Sequence, residues 1–300
     1  MAEAAQRQPL VKAEEPGVWD RIARFLQKTP IHIFVIALTL LWSVPTIGLF
    51  VSSFRPARAI SSSGWWTVFQ PPSQLTIDLY QEALTRSGMG QSFLNSLFIS
   101  IPATIIPIMI AAFAAYAFAW LEFPGRQFLF VLVIGLLVVP LQMTFIPVLR
   151  AYNVLHLTGT FPAIWLAHAA YGLPFAIYLL RNFIGALPRD LFESAYLDGA
   201  SSFDIFFSIV MPLSVPSLAS LVIFQFMWVW NDLLVALIYL GGSPDKAPMT
   251  VTIAGLVNSL GGNWQVLTAA AFISMMLPLI VFFTLQRYFV RGILAGSVKG

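Results

Sequence analysis

The 300-residue chain is 58% hydrophobic and only 10% charged, with a formal net charge of +3. So much apolar surface exceeds what a water-soluble protein of this length can hide, so the composition excludes an ordinary soluble domain and indicates a membrane protein. The absence of cysteine excludes disulfides, thiolate metal sites and thiol nucleophiles, and the small basic excess calls for no nucleic-acid partner.

Residues 1–16 are small, polar and charged and are expected to be disordered. Over 17–28, Val18, Ile22, Phe25 and Leu26 mark one face, which predicts an amphipathic helix at the membrane surface. About thirty residues precede the first apolar run and no small-residue cleavage site follows it, so no removable signal peptide is expected. Six apolar runs are long enough to cross a hydrocarbon core, which takes about twenty helical residues: 31–51, 95–120, 128–149, 161–180, 213–240 and 266–289. Pro102, Pro107, Pro140, Pro147, Pro174 and Pro278 lie inside them, tolerable where neighbouring helices satisfy the freed carbonyls.

Eleven of the sixteen basic residues fall in the amino-terminal segment, the second–third and fourth–fifth connections and the carboxy-terminal tail. By the bias of lysine and arginine toward the cytoplasm, both termini and the 187–212 connection are expected inside. The outer segments are then 52–93, 151–160 and 241–264. The first holds Trp65-Trp66, a pair suited to the interface, and the third reads as a flexible loop around a short apolar piece, 249–260. The expected organisation is a cytoplasmic segment 1–30, a six-span domain 31–290 with the 187–212 loop, and a cytoplasmic tail 291–300.

The 187–212 loop holds four of the thirteen acidic residues and reads as two short amphipathic helices around a break. Asp190 and Glu193 have capping-box spacing, and Phe192, Ala195 and Tyr196 form a stripe. Gly199 can take the left-handed conformation that ends a helix. Ser201 and Asp204 repeat the capping spacing, Phe203, Phe206, Phe207 and Val210 form a second stripe, and Pro212 is expected to end it. On spacing alone, both helices could simply lie on the bilayer with Glu193 as a cap.

Within the spans Asp232 is the sole carboxylate, and the cost of burying its charge in lipid should turn it toward the bundle interior, a cavity or the outer interface. Trp228, Trp230, Asn231 and Asp232 could line a substrate path, with indoles stacking on sugar rings and the amide and carboxylate binding hydroxyls; the plain alternative is interhelical packing. Tyr171, with His168, Tyr178, Gln142 and Thr144, is a weaker candidate. Three scattered histidines and no clustered carboxylates make no metal site. No Gly-x-x-x-x-Gly-Lys-Ser/Thr loop is present, so this chain has no such cradle for nucleotide phosphates, and no nucleophile–base pair suggests catalysis.

Glu193-Ser194-Ala195, Gly199 and Ile209-Val210-Met211-Pro212 resemble, in register, the EAA…G…I-L-P loop of ABC-transporter permeases, with Ser194 for the first alanine and Met211 for leucine. Asp198-Gly199-Ala200 is the form of the carbohydrate-importer branch. Ser53-Phe54-Arg55-Pro56, Asn95-Ser96, Phe123-Pro124-Gly125-Arg126, Trp230-Asn231-Asp232 and the ending from Gln286-Arg287-Tyr288 to Gly300 resemble the smaller, six-span permease of the maltose type, so the likeness covers about residues 50–300. It implies an all-α, type I importer fold and a non-catalytic subunit that moves a disaccharide or oligosaccharide by alternating access. It implies that Glu193, Ser194, Ala195, Asp198, Gly199, Ala200, Phe203 and Pro212 couple to an ATPase. The implied partners are a second permease in a heterodimer, two ATPase subunits that hold ATP and magnesium, and an extracellular or periplasmic sugar-binding protein, in the plasma or inner membrane. Another solute such as glycerol phosphate, or an ion-coupled secondary carrier, is the alternative.

Overall fold

The computed structural model describes residues 18–70, 75–256 and 264–297, with side chains described for 29–70, 75–256 and 264–287. The expectation of disorder over 1–16 lies outside these residues. The chain divides into two units at Val51–Ser52. The first holds α1 (Val18–Ser53) up to residue 51. That helix runs through Pro30 and Pro45, so the surface helix expected over 17–28 and the first span are one helix rather than two. Thr39 and Ser43 return their hydroxyl protons to the carbonyls of Val35 and Thr39, which lets polar side chains ride in an apolar helix.

The second unit opens with α2 (Ala57–Ser62), a 3-10 turn (Trp65–Phe69) and α3 (Asp78–Thr85). Arg55 holds this segment together. Only 3% exposed, it donates to the carbonyls of Ala59 and Ser63 and the hydroxyls of Ser63 and Thr67. A buried cation is tolerable only when its donors are satisfied in this way.

α4 (Met89–Trp120) and α7 (Phe161–Ile184) run parallel. Ala103, Ala111, Ala112 and Ala115 on one helix and Ala163, Ala167, Gly172 and Ala176 on the other are buried, and small residues of this kind let backbones approach where no hydrophobic effect drives association. Trp165 Nε1 donates to the Phe98 carbonyl at the amino-terminal end, and Trp120 Nε1 donates to the Ile184 carbonyl at the other, each at 2.9 Å. Gln225 bridges the pair through Nε2, donating to the carbonyls of Ala103 and His168. Its amide occupies the space a Cβ on Gly172 would need.

Among the described residues four helices have the length and apolarity to cross a membrane: Thr29–Ser53, Met89–Trp120, Phe161–Ile184 and Trp264–Arg287. The expected third span is broken. α5 (Arg126–Leu136) and α6 (Leu141–Val154) meet at 102°, because Pro140, extended at ψ 126°, starts a new helix instead of continuing the old one. The expected fifth span, 213–240, is also interrupted, into α11 (Val215–Trp230) and α12 (Leu234–Leu240). α11 alone reaches about 24 Å at 1.5 Å per residue, short of the ~30 Å apolar core.

The apolar piece expected over 249–260 begins with α13 (Met249–Leu256); residues 257–263 lie outside the described set. The described part of the expected flexible loop is tied down. Asn95 Nδ2 donates to the carbonyls of Asp245 and Ala247, Met249 N donates to Ser96 Oγ, and Ser92 and Thr252 share a hydroxyl bond of 2.6 Å. α14 (Trp264–Ser297) runs unbroken through most of the expected tail segment 291–300. The core lies in three clusters: around Leu180, Phe192 and Phe206; around Tyr152, Val235 and Tyr239; and around Met89, Trp230 and Met249.

Candidate functional site

Two groups of residues stand out from this scaffold, the 187–212 knob and the polar break in the fifth span. The knob begins with α8 (Arg189–Leu197), whose N-cap is Pro188 and carries no side-chain cap. Asp190 therefore sits inside the first turn, where its charge suits the helix dipole, and is not the cap expected from spacing. Phe192 anchors the helix: it is buried and stacks on Trp120 with ring centroids 3.7 Å apart and planes at 17°.

Gly199 ends α8 at φ +82°. Its amide donates to the Tyr196 carbonyl and the Ala200 amide to the Ala195 carbonyl, the paired bonds of a Schellman turn, with Ala195 and Ala200 both packed on the core. Ser201 then opens α9 (Ser202–Ile205) with a reciprocal capping box: its hydroxyl accepts from the Asp204 amide while the Asp204 carboxylate accepts from the Ser201 amide. The chain widens into a π turn over Phe206–Val210 before α10 (Met211–Leu213). Pro212 lacks an amide proton and its ring crowds the carbonyl four residues back, which the wider turn relieves.

Pro212 does not end this helix. The bend, 73°, falls at Ser214 before α11. Ile205, Phe206 and Val210 are buried, and Phe206 stacks on Phe113 at 4.4 Å. The stripe expected to be continuous is thus split, because Phe203 is 70% exposed and Phe207 also faces out. The outer surface of the knob presents Glu193, Ser194, Leu197 (88% exposed), Asp198 and Phe203. That surface sets two carboxylates, Glu193 and Asp198, beside exposed apolar side chains.

At the other group, α11 stops at Trp230 and α12 starts at Leu234. Asp232 caps the restart: Oδ1 accepts from the Val235 amide at 3.3 Å and Oδ2 from the Ala236 amide at 3.0 Å, while its carbonyl accepts the Thr250 hydroxyl. Oδ2 also lies 3.7 Å from His168 Nε2. His168 is fully buried and neither ring nitrogen makes a hydrogen bond, and its ring and that of Trp228 stand perpendicular at 5.2 Å. Asn231 is exposed and donates to the Met227 carbonyl at 2.7 Å. Beside them Tyr171 accepts from Thr144 at 2.9 Å and shares a 2.7 Å bond with Tyr239, joining α6, α7 and α12.

Of the path candidates read from the sequence, Asp232, Asn231, Trp228 and Tyr171 gather at this break. Trp230 does not: it is 2% exposed, donates to the Ser274 carbonyl at 3.0 Å, and packs on Phe93 and Phe226. An indole paired with a carbonyl in a filled core has no face left for a substrate. His168 enters by a contact 64 positions away in sequence, which no local pattern announces. Among the described residues no three His, Asp or Glu side chains cluster as metal ligands.

The profile of the family described as "Binding-protein-dependent transport system inner membrane component" matches residues 107–295, which takes in the knob, the break and most of α14. An osmoprotective compounds uptake permease of Synechocystis is 61% identical over 96% of this chain and 98% of its own length. An alpha-glucoside transport system permease of Rhizobium meliloti is 42% identical over 90% of this chain and 97% of its own. Among solved structures, a bacterial ABC transporter importing the acidic polysaccharide alginate matches with a TM-score of 0.70 at 21% identity, over 92% of this chain and 99% of the matched one. At that identity the likeness is one of fold.

Proposed function

We propose that this chain, which belongs to the family of binding-protein-dependent transport system inner membrane components, is one of two permease subunits of an importer that carries a small glucoside across the cell membrane. The observation that carries the substrate class is the pair of near-full-length relatives, one named for osmoprotective compounds and one for alpha-glucosides. A small, uncharged, hydroxyl-rich glucoside satisfies both descriptions. The residues at the break suit it: Asn231 and Asp232 offer an amide and a carboxylate to hydroxyls, and Trp228 offers a ring face to a pyranose.

The lysine and arginine bias supports an orientation with both termini and the 187–212 knob in the cytoplasm. There the knob meets one of two ATPase subunits, with Glu193 facing a basic side chain and Leu197 and Phe203 filling an apolar cleft. ATP and magnesium belong to those subunits. Closure of the ATPase pair draws the two knobs together. Trp120 and Phe113 of α4, gripping Phe192 and Phe206, carry that movement into the spans, and the path opens toward the loaded binding protein. Resetting releases the sugar inward.

The test is uptake by the assembled importer in vesicles, with labelled trehalose, sucrose or maltose delivered by its binding protein. ATP-dependent accumulation of at least one, abolished when this chain is omitted, is the expected result. Accumulation of glycerol phosphate and none of the sugars overturns the reading.

A further inference from the structure

The surfaces of the spanning helices differ in chemistry. On α4 the exposed positions after residue 98 are mostly aliphatic: Ile101, Ile105, Met109 and Ile110, with Phe113 at the inner end. Side chains of that kind suit acyl chains. The facing pair α7 and α11 is different. Among the described residues 171–184, only Phe175, Tyr178 and Asn182 are exposed, and among 217–230 only Phe224 and Trp228. The most exposed side chains of these two stretches are therefore aromatic or an amide, with Leu173, Leu179, Arg181 and Val222 among those half-buried beside them.

The spacing makes each set a stripe. Tyr171, Phe175 and Tyr178 follow one another at intervals of four and three on α7, and Phe224, Trp228 and Asn231 do the same on α11, so each trio shares one helix face. The two faces adjoin. Phe175 meets Phe224 edge-on at 6.3 Å, and one turn or so further out Trp228 reaches His168, which places the helices antiparallel with their stripes side by side. Seven residues of helix extend about 10 Å, so the combined strip is of disaccharide length, with the hydroxyl of Tyr178 near one end and Asn231 and Asp232 at the other.

We propose that this strip is the sugar track through the membrane: a wall of aromatic faces on which pyranose rings slide, entered past Asn231 and Asp232 and left past Tyr178. The proposal rests on the glucoside reading above and extends it from the outer break to the depth of the bilayer. Two properties recommend a sugar as the occupant. Aromatic rings present flat apolar faces that match the C–H face of a pyranose while leaving its hydroxyls free. The polar groups on the strip are the indole N–H of Trp228, two phenols, one amide and one carboxylate, while Arg181, one turn beyond Tyr178, lies over the Phe130 ring at 4.9 Å, a set that suits a neutral polyol.

The chain has no cysteine, so single replacements are directly addressable within the whole importer. Phe175→Cys, Tyr178→Cys and Trp228→Cys are compared with Ile105→Cys on α4, using a water-soluble methanethiosulfonate reagent. Saturating trehalose, sucrose and maltose are added in turn with the loaded binding protein. The track positions should react faster than residue 105 and should be protected by the transported sugar. In uptake, Trp228→Ala should lower the sugar moved per ATP hydrolysed roughly 2- to 10-fold, the weight of one aromatic contact. Trp228→Phe should restore most of it, a rescue that a purely structural role does not give to one quantity alone.

Reaction as slow as at residue 105 would show that the strip faces lipid. Fast reaction that no sugar slows, in an importer that still accumulates sugar, would show a surface for packing against a second permease. Either result overturns the track while leaving the glucoside reading intact. A wild-type importer that takes up none of the three sugars sinks the glucoside reading, and the track with it.

Discussion

Replacing Gly199 isolates the backbone of the knob from everything else about it. The residue sits at φ +82°, and a Cβ built there finds no atom within 4 Å, so the penalty for a side chain is torsional and not a clash within this chain. Alanine in the left-handed region costs about 1–2 kcal/mol. Valine, branched at Cβ, lies toward the upper end of the ~1–3 kcal/mol range for strained backbone, and asparagine costs less because it tolerates this region. Against that strain stand Phe192 and Phe206, whose burial contributes about 1.5–3 kcal/mol each. The anchors outweigh the alanine strain, so Gly199→Ala should keep most of the coupling. Valine strain rivals a single anchor, and Gly199→Val should let α9 swing away from α8. The assay is ATP hydrolysis by the assembled importer with and without loaded binding protein, beside co-purification of the ATPase. Stimulation should fall in the order Gly, Asn, Ala, Val. Asparagine and valine are similar in size, so equal damage from both would mean that the position is blocked against a partner surface, and the torsional reasoning would be refuted.

Phe192→Ala removes the ring that stacks on Trp120 and should cost about 3–5 kcal/mol of local packing; co-purification of the ATPase should drop along with stimulation, and retention of both would deny α8 its anchor. Glu193→Gln leaves every described contact of α8 in place, so the knob should stay folded, yet a charge-assisted bond to a basic partner is lost, and stimulation should fall by roughly the equivalent of 1.5–3 kcal/mol. Asp232→Ala strips the acceptor from the Val235 and Ala236 amides, a cap worth about 1 kcal/mol; uptake should decline with the ATPase still bound, and Asp232→Asn, which keeps an acceptor, should be milder. Isothermal titration of the purified chain alone should find no ATP binding, as expected without a phosphate-cradling loop.

The knob was legible because its determinants are local. Gly199, Ser201 and Asp204 act on amides within a few residues, so their spacing alone announces the turn and the cap. Asp190 misled for an equally local reason: Pro188 fixes the start of α8 two residues earlier than the capping spacing implies. The interrupted spans were not legible. Pro140 stands at a right-angle break while Pro102 and Pro107 ride inside an unbroken α4, and nothing in their flanking residues separates the cases; packing against α7 keeps α4 helical. Trp230 and Trp228 are two positions apart and equally aromatic, but a helix points them in different directions, one to Ser274 and the other outward. His168 and Asp232 come together only once α7 and α11 are packed.

α4 has an unusual mechanical position. Its 32 residues make a rod of about 48 Å, held at one end by Asn95, Ser92 and Ser96 to residues 245–252, and at the other by Trp120 and Phe113 to the two halves of the knob. The rod thus ties the knob to residues 245–252 directly, without passing through the break at 231–233. Pro102 and Pro107, where backbone hydrogen bonds are missing, are the points at which it can flex. A stiffer helix at these positions would pass a displacement of one end to the other with little loss, and a softer one would absorb it at mid-helix.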